Sequence, residues 1–89
     1  AYIPLDKEVV LGRSPKCNLI FDDGLPEVSR RHCSIKYDYE KGAYLLTDLN
    51  SSYGTFLEDG SMLKGTSVLL GENAQFRIGK RETFVLRRR

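Results

Sequence analysis

No window of eleven residues in this chain carries an apolar stripe at helical spacing, and that excludes helical bundles and α/β folds alike. In its place stands a succession of short runs suited to strands, at 2–5, 8–12, 18–21, 32–38, 43–48, 55–58, 61–63, 67–69, 74–78 and 82–87. Turn chemistry divides them: Asp22-Asp23-Gly24, Glu40-Lys41-Gly42, the stretch 50–54, Asp59-Gly60, Gly71-Glu72-Asn73 and Gly79-Lys80. Where a run is long enough to show a period, the period is two. In "AQFRI", Phe76 and Ile78 share one face while Gln75 and Arg77 share the other. In "CSIKYD", Cys33, Ile35 and Tyr37 alternate with Ser34, Lys36 and Asp38. Short strands at this spacing predict an all-β sandwich or barrel.

The chain has 89 residues, enough for one domain with a modest core. At 40% hydrophobic and 29% charged it has the balance of a folded, soluble protein. No apolar run approaches the length of a membrane-spanning helix, so no membrane association is expected. No signal peptide and no initiator Met are visible, and the chain reads as a piece excised from a longer protein. A net charge of +2 is too small to imply nucleic acid by itself, and the terminal arginines 87–89 read as a solvated end. Two cysteines, Cys17 and Cys33, are too few for a secreted disulfide scaffold. With a single His they make no four-ligand set either, so neither a metal nor any other cofactor is expected. Cys33 falls on the apolar side of its run and reads as a small buried hydrophobe.

In a sandwich, function is carried by loops gathered at one end. Three loops here are unusually polar: "GRSPKCN", "DDGLPEVSRR" and "DLNSSYGT". They supply Arg13, Ser14, Ser29, Arg30, Arg31, Asn50, Ser51 and Ser52. Arginine forks, hydroxyls and turn amides are the groups that hold a phosphate dianion. Three or four charge-assisted bonds, less the cost of association, give an affinity of roughly micromolar order. On residue types alone, the same loops also suit an ordinary solvated surface.

Four short segments, in order, carry a family resemblance: "LGRS" at 11–14, "VSRRH" at 28–32, "LTDLNSS" at 46–52 and "GTF" at 54–56. Together with "VLLGENAQFRIG" near the end they resemble the forkhead-associated (FHA) domain over nearly the whole chain from Glu8 onward. The resemblance implies a single FHA-like domain over 1–89. Its fold would be a β-sandwich of two twisted, mostly antiparallel sheets with about 10–11 short strands. It also implies a non-enzymatic module that reads phosphothreonine in a partner protein inside the cell, in cytoplasm or nucleus. Arg13 and Ser29 match the positions that contact the phosphate, Ser52 matches a third hydroxyl position, and Arg30 matches a position that supports the phosphopeptide. Gly12 and Gly54 match backbone positions where a side chain would obstruct the loop. His32, the only imidazole, matches a residue that braces the binding loops and is no catalyst.

Two departures from the family pattern matter. Where the family has Asn immediately before the Gly of "GTF", this chain has Tyr53, whose phenol lacks the paired geometry of a carboxamide. Tyr53 is then expected to pack against the peptide. The alternative is a phosphate-independent interaction or dimerisation domain with a degenerate phosphate site. Secondly, the family has one more strand before the segment at 2–5, and an unpaired edge invites strand addition, so a homodimer through that edge is expected on this reading. The acidic Glu27 and Glu58 are placed near the specificity loops and predict tolerance of basic residues after the phosphothreonine. Two rivals make distinct forecasts. A nucleic-acid binder using the arginines requires steep salt dependence. An enzyme requires a base other than the structurally explained His32.

Overall fold

The computed structural model describes Leu5 and residues 7–87 of the chain. The run expected at 2–5, with the sheet edge and homodimer that depend on it, lies outside the described residues except for Leu5, as do Arg88 and Arg89. Among the described residues there are nine strands and no helix: β1 (Val9–Gly12), β2 (Leu19–Ile20), β3 (Cys33–Asp38), β4 (Ala43–Asp48), β5 (Thr55–Leu57), β6 (Met62–Leu63), β7 (Ser67–Leu70), β8 (Gln75–Ile78) and β9 (Glu82–Val85). They form a five-stranded sheet in the order β2-β1-β3-β4-β7 and a four-stranded sheet in the order β6-β5-β8-β9. Each strand falls within or beside a run expected from the sequence.

The spine of the larger sheet is the β3–β4 hairpin, paired over six residues from Cys33↔Asp48 to Asp38↔Ala43. Period two decides which side chains it buries. Cys33, Ile35, Tyr44 and Leu46 point inward to meet Phe76 and Ile78 of β8 and Val9 and Leu11 of β1. Phe84 extends this core, stacking on Phe76 at a centroid distance of 5.2 Å and meeting Phe21 edge-on at 5.9 Å. Tyr37 continues it toward the hairpin tip, edge-on to both Tyr44 and Tyr39. The outer face of the smaller sheet mixes polar residues with Phe56, Met62 and Val85, and Arg77 lies over Phe56 with its guanidinium carbon 4.4 Å from the ring centroid.

One pairing is parallel: β1 with β2, through Leu11↔Leu19 and Gly12↔Ile20. Parallel neighbours need a long crossover when both strands are full length. Here β2 is two residues long, so residues 13–18 need only fold back beside β1. Asn18 locks that return twice, donating its backbone N–H to Val10 O at 2.8 Å and accepting Val10 N–H on Oδ1 at 2.8 Å. The topology therefore brings five connections to one end of the sandwich: residues 13–18, 21–32, 49–54, 64–66 and 79–81. The three polar loops of the sequence are among them.

Candidate functional site

The loops at this end are tied to one another, and the ties run through the residues singled out in the sequence. Arg13 donates its backbone N–H to Ser29 O at 3.1 Å, and Ser14 donates to Arg30 O at 2.9 Å. The first and second loops thus run side by side. The hydroxyl of Ser29 accepts the backbone N–H of Ser52 at 2.9 Å, which joins the second loop to the third. Arg13, Ser29 and Ser52 consequently form one continuous patch. Arg30 and Arg31, directly after Ser29, are exposed to solvent.

Gly12 shows why a glycine opens the first loop. A Cβ at this position would strike the carbonyl of Arg30. That carbonyl already accepts Ser14 N–H and lies 3.1 Å from the Cys17 sulfur. The Gly12→Ala substitution has to push residues 29–31 off the first loop. It is expected to cost about 1–3 kcal/mol of stability, measured by denaturant unfolding. Gly54 has a different reason, a φ of 89° that other residues rarely adopt.

His32 is fully buried and links the second and third loops. Its Nδ1 accepts the backbone N–H of Ser29 at 3.0 Å, so the ring proton sits on Nε2, which donates to Gly54 O at 2.8 Å. A second proton on the ring would face the Ser29 N–H. Burial holds the pKa below its ordinary value, against the opposing pull of the Gly54 carbonyl and the Asp48 charge. The unfolded chain therefore takes up this proton first. Stability should be level above the ordinary value of 6.5, fall as pH drops below it, and level off once the folded ring titrates as well. The slope reaches at most about 1.4 kcal/mol per pH unit. Urea unfolding between pH 7.5 and 5 checks this, and His32→Asn should flatten that slope.

Asp48 carried no role in the sequence reading, yet it organises this end. It is 2% exposed and accepts four hydrogen bonds: Ser51 N–H and Gly65 N–H on Oδ2, Ser51 Oγ–H and Thr55 Oγ1–H on Oδ1. Burial pushes its pKa up, but these donors together outweigh burial and hold it below the ordinary carboxylate value. Burial also pushes the neighbouring Cys33 thiol up to about 12, with Asp48 adding to the effect, so Cys33 is an unreactive core thiol. The signal for Asp48 was present in β4. Tyr44, Leu46 and Asp48 share its inward face, so the parity of the strand places a carboxylate in the core rim. Ser51, counted in the sequence among the polar loop residues, is 1% exposed and spends its hydroxyl on Asp48 and on Gly54 N–H.

Lys64 was also missed. It lies on the β6–β7 connection, outside the polar loops, and its Nζ donates to Ser52 O at 3.1 Å. Only the tertiary fold brings it to the patch. Tyr53 stands at the crest of the third loop with 59% of its surface exposed. One expectation is corrected. Glu58 follows the three-residue β5, which carries the chain away from the loop end, and there it accepts Gln75 N–H at 2.8 Å. Glu27 does lie on the second loop, beside Gly79.

The guanidinium of Arg13 is partly engaged. Its Nε donates to Val28 O, and one terminal nitrogen forms an ion pair with Asp23 Oδ1 at 3.1 Å. Among the described residues no bond engages its other terminal nitrogen, the Ser52 hydroxyl or the Arg30 guanidinium, and Ser29 Oγ accepts from Ser52 but keeps its own proton to donate; these are the donors open to an anion.

Comparison with known proteins bears on the whole assembly. The family model of the FHA domain matches residues 9–79. Mycobacterium tuberculosis EmbR, solved in complex with a low-affinity phosphopeptide, is similar to this chain at 25% identity and a TM-score of 0.73. That match covers 90% of this chain but only 19% of the EmbR chain. An FHA domain from Arabidopsis thaliana is similar at 26% identity and a TM-score of 0.74, over 91% of this chain and 66% of that one. The N-terminal FHA domain of S. cerevisiae Rad53p, solved with a phosphothreonine peptide, is similar at 29% identity and a TM-score of 0.68. It matches over 82% of this chain and 56% of its own. No curated protein is similar enough in sequence to be matched.

Proposed function

This chain belongs to the forkhead-associated (FHA) family, and from that premise we propose that it is a non-enzymatic module that reads phosphothreonine in a partner protein. One observation carries the reading: three separate loops deliver Arg13, Ser29 and Ser52 to one patch, joined by the bonds Arg13 N–H to Ser29 O and Ser52 N–H to Ser29 Oγ. Relatives solved with phosphopeptides support the ligand class.

In this reading Arg13 and Ser29 hold the phosphate, and Ser52 and Arg30 add a hydroxyl and a second positive charge. A phosphothreonine brings about −1.5 to −2 charge and three acceptor oxygens, which matches this donor set better than any neutral peptide does. His32, Gly12 and Gly54 do not touch the ligand; they fix the spacing of the loops that do. Tyr53 takes the place beside the peptide main chain and offers an aromatic face with one hydroxyl. Two buried thiols, both free, suit a reducing compartment, cytoplasm or nucleus.

Titration with an oriented phosphothreonine library, alongside its unphosphorylated twin, tests the proposal. Micromolar binding confined to the phosphorylated library is the expected result. Equal binding of both would favour the second reading, a phosphate-independent interaction domain built around the exposed Tyr53.

A further inference from the structure

We infer that Asp23 is a specificity-determining residue that trades ion pairs with the ligand: the phosphate takes Arg13 from Asp23, and a Lys or Arg of the same peptide takes Asp23. The inference rests on the phosphothreonine reading above and adds the chemistry of the flanking peptide to it.

The pair itself is direct, Arg13 Nη1 to Asp23 Oδ1 at 3.1 Å. Its two members are held very differently. The Arg13 side chain is 23% exposed and is anchored by Nε on Val28 O, while its backbone is anchored on Ser29 O. The Asp23 side chain is 81% exposed and, among the described residues, has only Arg13 as a charged partner. Its backbone sits on a turn built by its neighbour: Asp22 Oδ1 accepts Gly24 N–H at 2.8 Å, and Asp22 O accepts Leu25 N–H at 3.1 Å. Arg13 therefore does not need Asp23 to be positioned, and Asp23 moves away by rotating a single short side chain.

Charge then sets the sequence of exchange. A phosphate dianion outbids a single carboxylate for the guanidinium. Once it does, Asp23 stands beside the phosphate as an unpaired like charge on the rim of the site. A cationic peptide residue in reach cancels that repulsion, and an acidic one adds to it. The other exposed charges in these connections are mostly cations, Lys16, Arg30, Arg31, Lys64, Lys80 and Arg81. They attract the phosphopeptide as a whole without favouring a basic residue anywhere. Of the other anions in these connections, Asp22 spends Oδ1 on Gly24 N–H and Glu27 is half-buried, so the selection for Lys or Arg centres on the peptide position that faces Asp23.

The experiment screens phosphorylated and unphosphorylated oriented libraries against the wild-type domain and Asp23→Asn, which leaves Arg13 in place. The wild type is expected to enrich Lys or Arg at one flanking position, with a gain of about twofold to fivefold in affinity, the scale of an exposed ion pair. Asp23→Asn should lose that enrichment and bind a phosphothreonine peptide with Ala there about twofold to fivefold tighter than the wild type does. Three results overturn the inference while phosphate dependence stands: no basic enrichment in the wild type, enrichment unchanged in Asp23→Asn, or weaker binding of the Ala peptide by the variant. Equal binding of the two libraries by both proteins overturns the phosphothreonine reading itself, and this inference with it.

Discussion

Replacing Arg13 with alanine is expected to weaken phosphothreonine-peptide binding by about 100-fold while leaving the fold in place. A charge-assisted hydrogen bond contributes about 1.5–3 kcal/mol, and the substitution removes the principal positive charge of the proposed cradle, equivalent to about 2.7 kcal/mol. The structural cost is smaller. The ion pair to Asp23 is solvent-exposed and worth at most about 1 kcal/mol, and the backbone bond from Arg13 to Ser29 survives the substitution. Calorimetric titration should then show the loss of binding, with a circular dichroism spectrum unchanged and a melting temperature lowered by a few degrees. Arg13→Lys restores the charge without the planar fork and should recover only part of the affinity. An alanine variant that binds as tightly as the wild type would remove Arg13 from the phosphate site.

How much of this was legible in the sequence depends on the kind of signal. Strand positions were, because alternation and turn chemistry are local. The β3–β4 hairpin begins and ends within a residue of the runs at 32–38 and 43–48, and its inward face is the apolar set its period assigns. The loops that meet were also legible, since order along the chain and the sandwich architecture place them at one end. What sequence did not give was the pairing between distant segments. Lys64 reaches Ser52 only because β5 carries the chain away and β6 returns it to the loop end. Glu58 was misplaced for the same reason, because the direction of a three-residue strand decides at which end its next residue lies. The Arg13–Asp23 pair joins two loops ten positions apart, each of which read as an independent source of charge. Asp48 is the instructive case. Its burial follows from strand parity, but a carboxylate in a polar loop motif invites a surface reading.

Asp48→Ala should be the most destabilising single change at this end of the molecule. The substitution strands four donors, the hydroxyls of Ser51 and Thr55 and the N–H groups of Ser51 and Gly65. Three of the four lie in buried surroundings, where an unmet donor costs about 1–3 kcal/mol. The expected loss is about 3–5 kcal/mol, a large share of the roughly 5–15 kcal/mol that holds a domain of this class. The melting temperature should fall by about 15–30 °C. Asp48→Asn separates charge from shape. One amide oxygen still accepts, but the NH2 group faces donors, so about half the loss is expected. The ionised form also sets a pH window. Because the folded pKa lies below the ordinary 3.8, the contribution of Asp48 is complete above that value and is lost as pH falls through the folded pKa. That window opens below 3.8, whereas the one belonging to His32 opens below 6.5, and Asp48→Asn should flatten the former alone. Binding should suffer with stability, since the carboxylate ties the end of β4 both to the loop that carries Ser52 and to the turn that carries Lys64 and Gly65. Thermal melts of wild type, Asp48→Asn and Asp48→Ala at pH 7 decide the matter. If Asn proves as stable as Asp there, the negative charge contributes nothing and a single acceptor oxygen suffices to hold the site.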